Sequence, residues 1–150
     1  MKVLVILIVI ITGTIITVNC GTYKNVIFMH GILSGPQEVD ELITWIQKAH
    51  PGTNVTAIDM FDTLMSLSPM WEQVQKITPD VQKLMNSSPQ GTILICFSQG
   101  GLVCRGLLSV LNNHNVENFI ALSSPLMGQY GDSRYLKFLF PHYVKSEIYK

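Results

Sequence analysis

Charge is scarce in this sequence and leans to neither sign. Ten Lys and Arg face ten Asp and Glu, and charged residues make up 13% of the chain. No cluster of Lys or Arg exists to neutralise a run of phosphates, so a nucleic-acid partner is excluded. No internal repeat and no low-complexity segment is present, which removes solenoid arrays. No glycine-rich phosphate loop follows the first apolar run, so the chain reads poorly as a nucleotide-binding fold.

What the chain has in abundance is apolar residues, at 47%. Part of that excess lies at the amino terminus. Lys2 precedes an unbroken apolar run from Val3 to Ile11, and Ile15, Ile16 and Val18 extend it past Thr12-Gly13-Thr14. A basic start, an apolar middle and small residues near Cys20 and Gly21 are the marks of a secretory signal peptide over residues 1–20. The competing reading is an uncleaved anchor, for which the stretch is short, so no stable membrane span is expected. Residues 21–150 then form the folded part. A secretory route exposes the chain to an oxidising compartment, where cysteines can pair. It also gives meaning to two glycosylation sequons, Asn54-Val55-Thr56 and Asn86-Ser87-Ser88. Pro89 weakens the second.

Apolar runs and helical spacings alternate along residues 21–150. Residues 26–29 read as a strand buried on both faces, ending at His30-Gly31. Residues 36–50 follow with helical spacing, stopped by Pro51-Gly52. Residues 55–60 read as a second strand. Ser68-Pro69 looks like the start of a helix, with serine as cap and proline in the first turn, and Pro79 is expected to kink or split it. Residues 93–97 form a third strand, 100–111 a third helix and 119–122 a fourth strand. Such alternation implies an α/β fold with a mostly parallel sheet and helices on both faces. Active sites in such sheets lie at the carboxyl ends of the strands.

The most informative of those ends is Ile95-Cys96-Phe97-Ser98-Gln99-Gly100. Strand, tight turn and helix meet there with a serine at the apex, the nucleophile elbow of an α/β-hydrolase. Cys96 stands where that motif usually has its first glycine. The bland alternative is an ordinary serine cap. An elbow serine needs two backbone donors for the oxyanion. Gln99 N–H supplies one by position, and Ile32 N–H, after the sharp turn at Gly31, is placed to supply the other. His30 reads as a structural histidine bonded within its own loop. A base and an acid should follow the serine in the order acid, then histidine. His114 sits in a loop at the wrong end of the sheet. Asp132 and Glu117 are the acids between Ser98 and His142, and none has a suitable strand-end position. The triad reads as incomplete within these residues.

Cys96 and Cys104 form a second constellation. Cys96 should point into the contact between strand and helix, and Cys104 lies one helical turn beyond Gly100 on the same face. The expectation is a disulfide across the elbow; two buried free thiols are the alternative. Cys20 leaves with the signal peptide, so the count is even.

These segments together resemble the palmitoyl-protein thioesterase family of lysosomal α/β-hydrolases. The resemblance is carried by His50-Pro51-Gly52-Thr53, by 67–75 (Leu-Ser-Pro-Met-Trp-Glu-Gln-Val-Gln) and by the elbow through Arg105. His114-Asn115-Val116 and 122–132 carry it further. It implies Ser98 as nucleophile and Ile32 and Gln99 as oxyanion donors. It implies an acid and histidine beyond Lys150, so that the domain is incomplete at its C-terminal side and inactive alone. The reaction implied is hydrolysis of a fatty-acyl thioester, acyl-CoA-like or S-acylated protein, through an acyl-enzyme and with no metal or cofactor. Leu33, Met127 and Tyr130 are candidates to line an acyl groove. The implied location is lysosomal or secreted. A non-catalytic remnant or binding module and a carboxylester lipase are the rival readings.

Overall fold

The computed structural model describes residues 23–128. The stretch 1–20 expected to be a signal peptide, with Cys20 in it, and Tyr130, Asp132 and His142 lie outside them. Four parallel strands form one sheet in the order β2-β1-β3-β4. These are β1 (Asn25–Met29), β2 (Val55–Ala57), β3 (Thr92–Phe97) and β4 (Val116–Leu122). Between them run α1 (Asp40–Ala49), α2 (Met70–Asn86) and α3 (Gln99–Val110), with short 3-10 turns at Pro36–Val39 and Thr63–Leu67.

The alternation along β1 explains the layering. Successive side chains of a strand point to opposite faces. Val26 and Phe28 pack with Ile95 against Val39, Leu42, Ile43 and Ile46 of the α1 layer. Ile27 and Met29 pack with Leu94 and Cys96 against α2 and α3, through Val74, Ile77, Val81, Val103 and Leu107. β1 is thus buried on both faces, as its unbroken apolar run requires. The α2–α3 layer is the thicker one. At Gly106 an added Cβ would run into the Val74 side chain, so the two helices pack there without room for a methyl.

Several boundaries differ from expectation, each for a local reason. The helix does not split at Pro79; α2 runs unbroken with the proline inside it. Pro79 and Gln75 are exposed, so the carbonyl that loses its N–H partner faces water. Gln73, Val74, Ile77, Val81 and Met85 remain one continuous buried face. Ser68 is not the helix cap. Pro69 takes that position, and Ser68 closes the preceding 3-10 turn, its carbonyl accepting from Gln73. β2 ends at Ala57 rather than at residue 60. Ile58 N–H still reaches Phe28 O at 2.9 Å, after which the chain turns away through Phe61 at φ 58. β4 begins earlier than expected, at Val116 paired with Thr92 across a register shift.

Candidate active site

The strand order reverses between β1 and β3. From β1 the chain moves one way to β2, and from β3 it moves the other way to β4. Such a switch point opens a crevice between the loops that leave the two strands. Here those loops are His30-Gly31-Ile32-Leu33 and the Phe97-Ser98-Gln99 turn. They touch: a Cβ built on Gly31 would stand 3.1 Å from Ser98 Cβ and 3.3 Å from Phe97 Cδ1.

Ser98 occupies the first position before α3 with φ 52 and ψ −121. A positive φ is rare for serine and marks a backbone over-determined by its surroundings. Two contacts hold it: Ser98 N–H donates to Leu122 O at 2.9 Å, and Gly101 N–H donates to Ser98 O at 3.1 Å. Yet its hydroxyl caps nothing. That separates it from an ordinary N-cap serine, whose side chain would accept a helix N–H. The hydroxyl stands half-buried at the crevice, without a hydrogen-bond partner among the described residues.

Gly100 explains how helix and sheet can meet so closely. A Cβ there would collide with the backbone carbonyls of Met29 and His30. The tight approach is therefore to β1 and its loop, rather than to β3 as the motif alone suggests. This contact brings the start of α3 against the loop bearing Ile32. Among the described residues neither Gln99 N–H nor Ile32 N–H has an acceptor. Two unpaired amides near an uncommitted serine hydroxyl can stabilise a developing oxyanion. A helix N-terminus adds its own partial positive charge.

His30 is 1% exposed. Its Nδ1 lies 2.9 Å from Gly31 O and its Nε2 3.1 Å from Met60 O. Both nitrogens face carbonyl oxygens, one in its own loop and one after β2, and the single N–H of a neutral imidazole donates to one of them. The ring is thus turned to the loops and not to the serine, as for a structural histidine. The first of these carbonyls belongs to the same peptide as Ile32 N–H. Holding that oxygen aims the N–H the other way. His114 is exposed in the loop before β4, at the end of the sheet away from Ser98.

The remaining expected residues fall as follows. Leu33 is 36% exposed beside the crevice, with φ 56. Met127 is 99% exposed, at the rim of an open groove between α2 and α3 lined by Met70, Trp71, Leu102 and Leu126. The groove measures about 540 Å³. Asn54 and Asn86 are both exposed. Sequence reasoning missed Ser66 and Gln73, which are buried behind the crevice. Nothing in their spacing announces them: Ser66 sits in a 3-10 turn without a periodic pattern, and Gln73 reads as one more position on the buried face of α2.

Cys96 and Cys104 are joined by a disulfide, with their Cα atoms 6.6 Å apart. Both are fully buried. The bond pins α3 to the strand that carries the serine. It closes a loop with a sequence separation of 8, for which chain entropy gives about 2.5 kcal/mol. Reduction is therefore expected to lower unfolding stability by about 2.5 kcal/mol, read as a shift of the urea midpoint with and without dithiothreitol. Alkylation of unreduced, denatured protein should leave both cysteines unlabelled. Labelling of both would show that the bond does not form.

Comparison with known proteins agrees with this geometry. The sequence model of the family described as palmitoyl protein thioesterase matches residues 25–150. The human protein named lysosomal thioesterase PPT2 is 53% identical over 130 residues, covering 87% of this chain and 43% of that protein. The Drosophila melanogaster lysosomal thioesterase PPT2 homolog is 40% identical over 136 residues, 91% of this chain and 46% of that protein. Palmitoyl-protein thioesterase 3 of Dictyostelium discoideum is 32% identical over 115 residues, 72% and 38%. The chain spans under half the length of these relatives. With its parallel sheet, its serine at a strand-to-helix apex and these matches, the chain belongs to the palmitoyl protein thioesterase family of α/β-hydrolases.

Proposed function

We propose that the protein is a serine thioesterase of fatty-acyl thioesters and that Ser98 is its nucleophile. The observation that carries this reading is the uncapped Ser98 hydroxyl at φ 52, at a turn that touches the Gly31 loop, with the Ile32 and Gln99 amides of these two segments left without acceptors. Ser98 Oγ attacks the acyl carbonyl, and the Ile32 and Gln99 N–H groups hold the oxygen as it becomes anionic. The tetrahedral intermediate collapses with loss of the thiol, and water then releases the fatty acid from the acyl-serine. The general base and its acid are those of the longer family domain, lying past the described residues. No step in this scheme calls for a metal or cofactor. Leu33, Met127 and Tyr130 are proposed to contact the acyl chain.

The relatives are named as lysosomal enzymes. We extend that location to this protein, with residues 1–20 as the signal for entry to the secretory pathway. Asn54 and Asn86 are proposed as glycan acceptors.

Competition between substrates tests the reading. Protein expressed from its complete reading frame should hydrolyse a long-chain acyl-CoA and an S-acyl peptide. The matching oxyester should turn over at least about tenfold more slowly, since the thiolate is the better leaving group. Turnover of the oxyester alone would assign the protein to the carboxylester lipases. Turnover of neither would leave a non-catalytic member.

A further inference from the structure

One buried residue joins both loops of the candidate oxyanion site. Ser66, in the 3-10 turn after β2, is 1% exposed. Its Oγ accepts from Leu33 N–H at 2.7 Å and donates to Thr63 O at 2.5 Å, so both roles of the hydroxyl are filled. Its carbonyl accepts from Gln99 Nε2 at 2.9 Å and from Gln73 Nε2 at 2.9 Å. Thus the residue whose backbone follows the nucleophile and the loop that contains Ile32 are tied to the same serine.

We infer that Ser66 is a positioning residue for the oxyanion site, fixing the Ile32-Leu33 peptide by its hydroxyl and linking it to the elbow helix by its carbonyl. This inference rests on the reading of Ser98 as nucleophile. In the tautomer with the proton on Nδ1, His30 donates to Gly31 O and holds the carbonyl of the Gly31-Ile32 peptide. Ser66 fixes the N–H of the next peptide, at Leu33. Two consecutive peptide planes are held from their far sides, which leaves the Ile32 N–H between them with a single direction. Ser34 O accepts from Thr63 N–H at 2.7 Å and closes the same two loops a second time.

Two further features set this arrangement apart from ordinary loop packing. Leu33 and Thr63 both have positive φ, at 56 and 46. Non-glycine residues keep such backbones only where the surroundings impose them, and such strain clusters at functional sites. Gln73 is fully buried, and its Nε2 also reaches Ser68 O at 2.8 Å. With Nε2 given to two carbonyls, Gln73 Oε1 has no partner among the described residues. The amide is oriented to hold the Ser66 turn even though an acceptor is left unpaired.

The test uses protein from the complete reading frame and a long-chain acyl-CoA. Rates are expressed per active site titrated with an alkyl fluorophosphonate, which removes any loss of folded protein. Ser66→Ala is expected to lower kcat about tenfold to a hundredfold, as small misplacements of a donor do. KM should move by less than about twofold, because the donor acts on the transition state. Ser66→Thr keeps the hydroxyl and should recover most of the rate. Gln99→Leu, at a half-buried position, removes only the link from Ser66 to the elbow and should lower kcat about fivefold. Hydrogen exchange gives a readout independent of turnover. The Leu33 amide should exchange at least about tenfold faster in Ser66→Ala, with Leu94 in β3 unchanged. Wild-type kcat per titrated site in Ser66→Ala and Gln99→Leu overturns the inference, as does an unchanged Leu33 amide. Retained turnover in Ser98→Ala would instead remove the nucleophile reading, and the exchange result would still decide whether Ser66 holds the loop.

Discussion

Ser98→Ala is expected to lower thioester turnover roughly a millionfold, the scale seen when a hydrolase nucleophile is removed. The size follows from the site. No other hydroxyl stands at a strand-to-helix apex beside two unpaired amides among the described residues. The two mechanisms that remain after the change are oxyanion stabilisation and substrate binding, which cannot replace a covalent intermediate. Stability should hardly move. The lost Oγ makes no capping bond, and alanine meets the same positive φ as serine. A thermal midpoint within about 2 °C of wild type, with turnover lost, is the outcome to look for. Loss of both together would mean a folding defect and no test of catalysis.

Gly100→Ala is expected to act in the opposite way, through structure first. The added methyl would overlap the backbone carbonyls of Met29 and His30. Backbone at the carboxyl end of a central strand cannot yield as a flexible side chain can, so α3 must shift away from β1. Overpacking of this kind costs about 3 kcal/mol. The shift would also separate Gln99 from the Ile32 loop, so the folded fraction should be slow as well. Urea denaturation together with kcat per titrated site checks both parts. A variant with wild-type stability would show that helix and strand are less closely packed than described.

Much of this site can be read from residue order. The apolar runs give the strands because a parallel sheet buries both faces, and Val26-Ile27-Phe28-Met29 does so. The elbow can be read because strand, small-residue turn and helix signals fall on consecutive residues. The disulfide follows from the same local geometry, since Cys96 near the end of β3 and Cys104 one turn beyond Gly100 in α3 meet across the strand–helix contact. What could not be read lies where distant segments meet. Pro79 looks like a break until the burial of Gln73, Val74 and Ile77 shows that it lies on the solvent side. Ser68 looks like a cap until Gln73 claims its carbonyl. Ser66 and His30 gain their partners from loops that leave different strands, and no periodicity encodes such a meeting.

The proposed mechanism depends on Ser98 being an activated nucleophile. It is tested most directly by treating protein from the complete reading frame with an alkyl fluorophosphonate and mapping the adduct by peptide mass spectrometry. The prediction is a single phosphonylated residue, Ser98, in tryptic peptide 84–105, with labelling slowed by prior addition of a long-chain acyl thioester and absent from Ser98→Ala. Reagent that abolishes thioester hydrolysis while leaving Ser98 unlabelled would show that the nucleophile is another residue.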